Sequence, residues 1–369
     1  MTTHKFQPNW TSPPGDSILD ILRYKSISLE EFSQKFGETQ SAIDALVHGR
    51  TELTIKHAKK LESLFGSPYT FWLAREEQYR NDLRRSKDEE KRSLNMQWLS
   101  ELPLKDMVRF GWLRPKVNAK PNLTECYEFF NVTSVDEWRD SFNHQLGLAS
   151  FRTSNSFAHK PLSVAAWLRK AEIDGTAAKC ADWNAEKFQA SLNEIRKLTR
   201  IKSPLEFLPI LKNICADAGV AVTVVRAPTG CRASGAARFI TPNKALIVLS
   251  FRHLTDDHFW FTFFHEAGHL LLHKRATVFI DGLEDNASIL EDEANAFAQD
   301  VLIPENNISR LTSIELNTMG IARFAKDIGV SPGIVIGQMQ NSGRISHDRL
   351  NGYKNRYTWA EIDEYLSSP

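Results

Sequence analysis

An α+β fold, predominantly helical, is predicted for the 369-residue chain by three observations. Helical periodicity with capping signals fills residues 14 to 80. Helical runs continue, between loops, to about residue 200. Strand-like alternation is confined to the stretch from Val220 to Leu249, directly before a long apolar helix. The chain therefore divides into an all-α domain at 14–80, a helical connector at 81–200, a domain with a small β-sheet at 201–310 and a C-terminal helical segment at 311–369.

Composition narrows the class of partner. Lys and Arg number 46 against 45 Asp and Glu, a net charge of +1, so no overall field marks nucleic acid or membrane. Cys126, Cys180, Cys215 and Cys231 form no C-x-x-C pair and read as small core residues of a reduced, cytoplasmic protein. Met1 to Pro14 is polar and Pro-rich without an apolar h-region, and apolar runs stop well short of ~18 residues. Neither a signal peptide nor a membrane span is expected.

In the first domain Ser28 reads as an N-cap, Glu31 completes a capping box, and Gly37 marks the turn. Thr39 to Val47 follows as a short second helix with Ala42, Ile43 and Leu46 inward, and His48-Gly49-Arg50 closes it. Ile55, Ala58, Leu61 and Leu64 recur at helical spacing, and Gly66-Ser67-Pro68 starts another helix. Helix, tight turn, helix is the helix-turn-helix pattern. The segment resembles Xre/Cro-type domains, and more narrowly the HigA-type antitoxin variety, on Pro14-Gly15, Ser28 to Gly37, His48-Gly49-Arg50 and Ser67 to Leu73. Gln40 and Ser41, opening the second helix, are candidates to meet base edges or phosphates in double-stranded DNA. Arg50 and Lys56 are candidate phosphate contacts. Asp44 departs from the pattern, since a carboxylate on that helix would face phosphates; a docking or dimerisation module is the alternative.

Residues 81 to 95 alternate in charge and read as an exposed helix or linker. Trp98, Trp112, Trp138, Trp167 and Trp183 mark the connector and read as core, and Arg152, Trp167-Leu168-Arg169 and Ala185 to Leu198 are its clearest features. From residue 205 the period changes: Phe207 to Ala218 is an amphipathic helix and Val220 to Val225 a strand. Ala236–Ile240 and Ala245–Leu249 flank Thr241-Pro242-Asn243-Lys244 as a hairpin. Such an edge suits an extended peptide, and the Thr229-Gly230 and Ser234-Gly235 loop either adjoins a cleft or is a plain turn.

His265-Glu266-Ala267-Gly268-His269 carries the chemistry. Four residues apart on a helix, the two imidazoles project from one face and can share a metal, and Glu266 lies about 100° around, beside the open coordination position. There it would take a proton from water activated by Zn²⁺. Two core histidines matching a short pattern by chance are the alternative. His273 is excluded as the third ligand, because His265 and His273 on a straight helix stand about 12 Å apart. Glu291 is the better candidate: it shares a face with Ala294, Asn295 and Ala298, all small enough to let another helix approach, whereas Glu293 shares its face with Phe297 and points elsewhere. A capping box with Ser288 is the competing role for Glu291.

Phe264 to His273, Glu291 to Ala298 and Leu302-Ile303-Pro304 together resemble the ImmA/IrrE metallopeptidase family, over roughly residues 200 to 345. The resemblance implies a gluzincin-like α+β core, zinc on His265, His269 and Glu291, Glu266 as general base, and cleavage of a regulatory protein such as a repressor or antitoxin. Ile321 to Val335 echoes a second helix-turn-helix but carries little basic charge and reads as a packing element. His347, Arg344 and Tyr353 are candidate oxyanion stabilisers by chemistry alone. The expectation is a cytoplasmic zinc metalloendopeptidase with a DNA-binding domain, its partners an operator-like DNA site, a protein substrate and, on two-fold operators, a second copy of itself. The alternative is a transcriptional regulator or antitoxin-like protein whose zinc domain senses or scaffolds.

Overall fold

The computed structural model describes residues 11–115, 122–146, 160–273, 279–280 and 289–367. The expectations at Ser288 and Arg152, and at the first ten residues, lie outside these. The chain forms two compact units, residues 1–98 and 99–369.

The first unit is all-α: α1 (Pro14–Tyr24), α2 (Leu29–Phe36), α3 (Gln40–Val47), α4 (Ile55–Phe65) and α5 (Tyr69–Glu101), of which residues 99–101 are counted with the second unit. Ile18, Phe32, Phe36, Ile43, Leu61 and Trp72 form its buried core. The Ser28 hydroxyl accepts from Glu31 N–H at 3.1 Å, but the Glu31 carboxylate accepts from Lys35 instead of reaching back, so only half of the expected capping box forms. Gly37, at φ 70°, turns the chain from α2 into α3, and the Thr39 hydroxyl caps α3. The charge-alternating run at 81–95 lies within α5.

The second unit begins with α6 (Leu104–Arg109), α7 (Leu123–Phe130), α8 (Val135–Leu146), α9 (Pro161–Ala177), α10 (Ala185–Leu198) and α11 (Pro204–Asp217). Strands β1 (Val220–Val224), β2 (Gly235–Thr241), β3 (Lys244–Leu249) and β4 (Phe279–Ile280) follow, with α12 (Asp256–Leu272) before β4. The sheet order is β1-β3-β2-β4, with β1 parallel to β3 and the other pairs antiparallel. Period-two alternation explains why β1 and β3 read as nearly unbroken apolar runs. Val220, Val222, Val224, Ala245, Ile247 and Leu249 face a core with Phe207 of α11 and Trp260 and Phe263 of α12. Ala221, Val225, Leu246 and Val248 face Val164, Trp167 and Ala171 of α9. Helices thus cover both faces of the sheet. Trp98, Trp138 and Trp167 are buried, as core residues should be, while Trp112 and Trp183 are partly so. No helix among the described residues is long and apolar enough to cross a membrane.

The chain ends with α13 (Ile289–Leu302), α14 (Ile308–Ser313), α15 (Thr318–Ile328), α16 (Pro332–Asn341) and α17 (Trp359–Ser367). The α15–α16 pair packs against the core, Ile321, Phe324, Ile334, Val335 and Met339 all being buried. The amino end of α12 is tied to this distant segment. Asp256, fully buried, accepts from the Ser331 hydroxyl at 2.7 Å and from Asn355 N–H at 3.1 Å. Lys354 donates to the Asp257 carboxylate at 2.6 Å. Burial pushes the Asp256 carboxyl up to about 6, against those hydrogen bonds.

Candidate metal centre

Helix α12 is apolar nearly all round because it is enclosed by the sheet, α13 and α16. It carries His265, Glu266 and His269 at 3%, 0% and 2% exposure, so each polar atom there must be matched to a partner. Helix α13 comes close because the contact is built from small residues. A methyl group added at Gly268 would lie 3.1 Å from the Phe297 ring and 3.3 Å from Ala294 Cα.

That approach delivers Glu291. His265 Nε2 and His269 Nε2 are 3.0 Å apart, Glu291 Oε2 lies 3.1 Å from the first and Glu291 Oε1 3.2 Å from the second. Four-coordinate bonds of about 2.0–2.1 Å place neighbouring ligand atoms roughly 3.3 Å apart, so the three side chains fit a single small cation. Among the described residues no other group of His, Cys, Asp and Glu gathers in this way. Burial would raise the Glu291 carboxyl, but the His265 and His269 rings beside it outweigh that and hold the group at about 2. Burial first, and then the neighbouring His265, lower the His269 imidazole. An anionic Glu291 and a neutral His269 are protonation states that suit a metal.

The supporting contacts were not read from the sequence. His265 Nδ1 donates to Asn295 Oδ1 at 3.0 Å, leaving Nε2 with its lone pair. Asn295 lies four residues after Glu291 on the same face, which was the available signal. Helix α12 stops at Leu272, and His273 is extended at φ −112° and ψ 166°. His273 reaches His269 through Nδ1, on the side of that ring away from Glu291. Glu293 meets His273 and not the imidazole pair.

Glu266 points toward the start of β2. A methyl group added at Gly235 would lie 2.6 Å from Glu266 Oε1 and 2.5 Å from Thr262 Cγ2, so the Ser234-Gly235 loop adjoins the site. Gly235→Ala is expected to displace the Glu266 side chain while leaving the metal ligands in place. Hydrolysis should fall about tenfold or more with metal content unchanged, since a displacement near 1 Å can cost about 10²-fold. Equal turnover by the two proteins would remove this constraint from the account. One turn before His265, a cavity of about 330 Å³ is lined by Ser234, His258, Phe261, Thr262, Ile334 and His347. Arg344 donates to the carbonyls of Leu311 and Ile314, and Tyr353 accepts from Thr318 at 2.8 Å, so both are engaged in holding the C-terminal helices.

In the first unit Gln40, Ser41, Arg50 and Lys56 are all exposed, and Gln40 and Ser41 open α3. The Arg50 guanidinium donates to the Asp44 carboxylate, and His48 Nδ1 lies 3.1 Å from the same group. The acidic departure on α3 is thus covered by its own neighbours.

Residues 218–336 match the family described as IrrE N-terminal-like domain, a peptidase family, and residues 25–72 match the helix-turn-helix family. No curated protein matches the chain. The chain joins a helix-turn-helix DNA-binding domain to an ImmA/IrrE-like peptidase domain.

Proposed function

We propose that this is a cytoplasmic zinc metalloendopeptidase that uses its helix-turn-helix domain to reach an operator-like DNA site, and that it cleaves one regulatory protein, a repressor or antitoxin, to change transcription there. The observation that carries the reading is the convergence of His265, His269 and Glu291 to within 3.0–3.2 Å, with buried Glu266 one residue along the same helix. A bound Zn²⁺ would polarise the scissile carbonyl and lower the pKa of water toward 7. Glu266 takes the proton from the attacking water and returns it to the leaving amine. His265 is held by Asn295 and stacked against the Phe261 ring, at 6.2 Å between centroids, so its orientation is set before substrate arrives. The cavity beside Phe261 and Thr262 is the place for a substrate side chain next to the scissile bond. Co-expression with the regulator encoded at the same locus tests the proposal. One discrete shortened product is expected from the wild type, and an intact regulator under conditions that induce the locus would exclude it.

The DNA half has its own test. Asp44 neutralises Arg50, so Asp44→Ala frees a cation in the turn that follows α3. In the full-length protein it should raise affinity for all duplexes and steepen the salt dependence by about one unit of slope. Arg50→Ala should do the reverse, and Gln40→Ala should relax preference among sequences. Binding to genomic fragments that is absent or insensitive to salt would leave this domain as a protein-docking module.

A further inference from the structure

We infer that His273 and Glu293 are positioning residues for the metal centre, forming a carboxylate–imidazole–imidazole chain that fixes the tautomer of His269. The inference rests on the reading of His265, His269 and Glu291 as ligands of one divalent ion. A buried histidine binds metal through one nitrogen only when its proton sits on the other, and that proton needs an acceptor. For His265 the acceptor is the Asn295 amide oxygen. For His269 it is another imidazole: Nδ1 of His269 and Nδ1 of His273 are 2.9 Å apart.

An imidazole accepts at Nδ1 only while its own proton is on Nε2. Glu293 supplies that condition. Its Oε2 lies 3.1 Å from His273 Nε2, and a carboxylate accepts and does not donate. The order of hydrogens is then determined along the whole chain. Glu293 accepts from His273 Nε2–H, His273 Nδ1 accepts from His269 Nδ1–H, and the His269 Nε2 lone pair faces Glu291 Oε1 and His265 Nε2. The backbone is arranged for this contact. His273 leaves the helix in an extended conformation, and its side chain is only 2% exposed although that of Glu293 is 52% exposed. Glu291 and Glu293, two residues apart on α13, therefore serve the two nitrogens of His269: one directly at Nε2, the other through His273 at Nδ1.

Zinc affinity of the full-length chain, measured by competition with a chromophoric chelator, tests the chain of bonds. ¹⁵N-histidine spectra of the metal-free protein report the tautomer independently. His273→Leu removes the acceptor and should weaken zinc by about 10–100-fold, with His269 shifting toward its Nε2–H form. His273→Asn sets an oxygen near the place of Nδ1 and should restore most of the affinity and the Nδ1–H signature. Glu293→Gln, still an acceptor through its amide oxygen, should stay nearer the wild type than Glu293→Leu. Equal losses in His273→Leu and His273→Asn would mean that the ring only fills space, and would overturn the inference. So would a His273→Leu protein that holds zinc as tightly as the wild type. A wild-type chain that takes up no zinc overturns the metal reading, and this inference with it.

Discussion

Replacing Glu266 by Gln should leave zinc bound and the fold intact while peptide hydrolysis falls by on the order of 10²–10⁴. The side chain keeps its length and its hydrogen-bonding capacity in a fully buried position, so packing against Thr262 and Gly235 is preserved. What is lost is a base that can accept the proton of the attacking water. The ligand atoms of His265, His269 and Glu291 are untouched, so metal content by elemental analysis stays near one ion per chain. The regulator's shortened product should disappear in parallel. Were the Gln protein to cut as fast as the wild type, Glu266 would not be the base, and the hydrolytic mechanism would need another one.

Loss of either imidazole has the larger consequence for the metal. His265→Ala or His269→Ala takes one of three ligands from a buried cluster and should abolish zinc binding at micromolar metal, whereas Glu291→Ala should weaken it. Stability gives a second readout. Zinc at about 100 times its dissociation constant should stabilise the wild type by about 2.7 kcal/mol, read as a rise in Tm that a chelator reverses. The His265→Ala and His269→Ala chains should show no such rise. A Tm of the wild type that ignores zinc would sink the metal reading.

Most of the fold was legible because its signals are local. Ser28, Gly37 and Thr39 punctuate the helix-turn-helix within a dozen residues, and the β2–β3 hairpin turns at Thr241–Lys244 as its composition requires. The parallel pairing of β1 with β3 was not legible, because it depends on which distant strand satisfies a backbone edge and not on any local pattern. At the candidate site, spacing on one helix brought His265 and His269 together, and the small residues around Glu291 marked the face that meets them. The exit of His273 from its helix was invisible, since nothing at Leu272 breaks a helix by propensity. The pairing of Arg50 with Asp44 likewise depends on a closing turn whose geometry exists only after α3 has packed.

The tie between the start of α12 and residues 354–355 imposes an order on synthesis. Asp256 and Asn355 are 99 residues apart, a distance that a ribosome adding about 5–20 residues per second covers in roughly 5–20 s. Throughout that interval Asp256 and Asp257 have no Asn355 or Lys354 to meet them, and burial without those partners is unfavourable. The amino end of the helix bearing His265, Glu266 and His269 therefore gains these two partners only after residue 355 has been made. A nascent or prematurely terminated chain carries His265, Glu266 and His269 on a helix whose amino end still lacks the hydrogen bonds from Lys354 and Asn355.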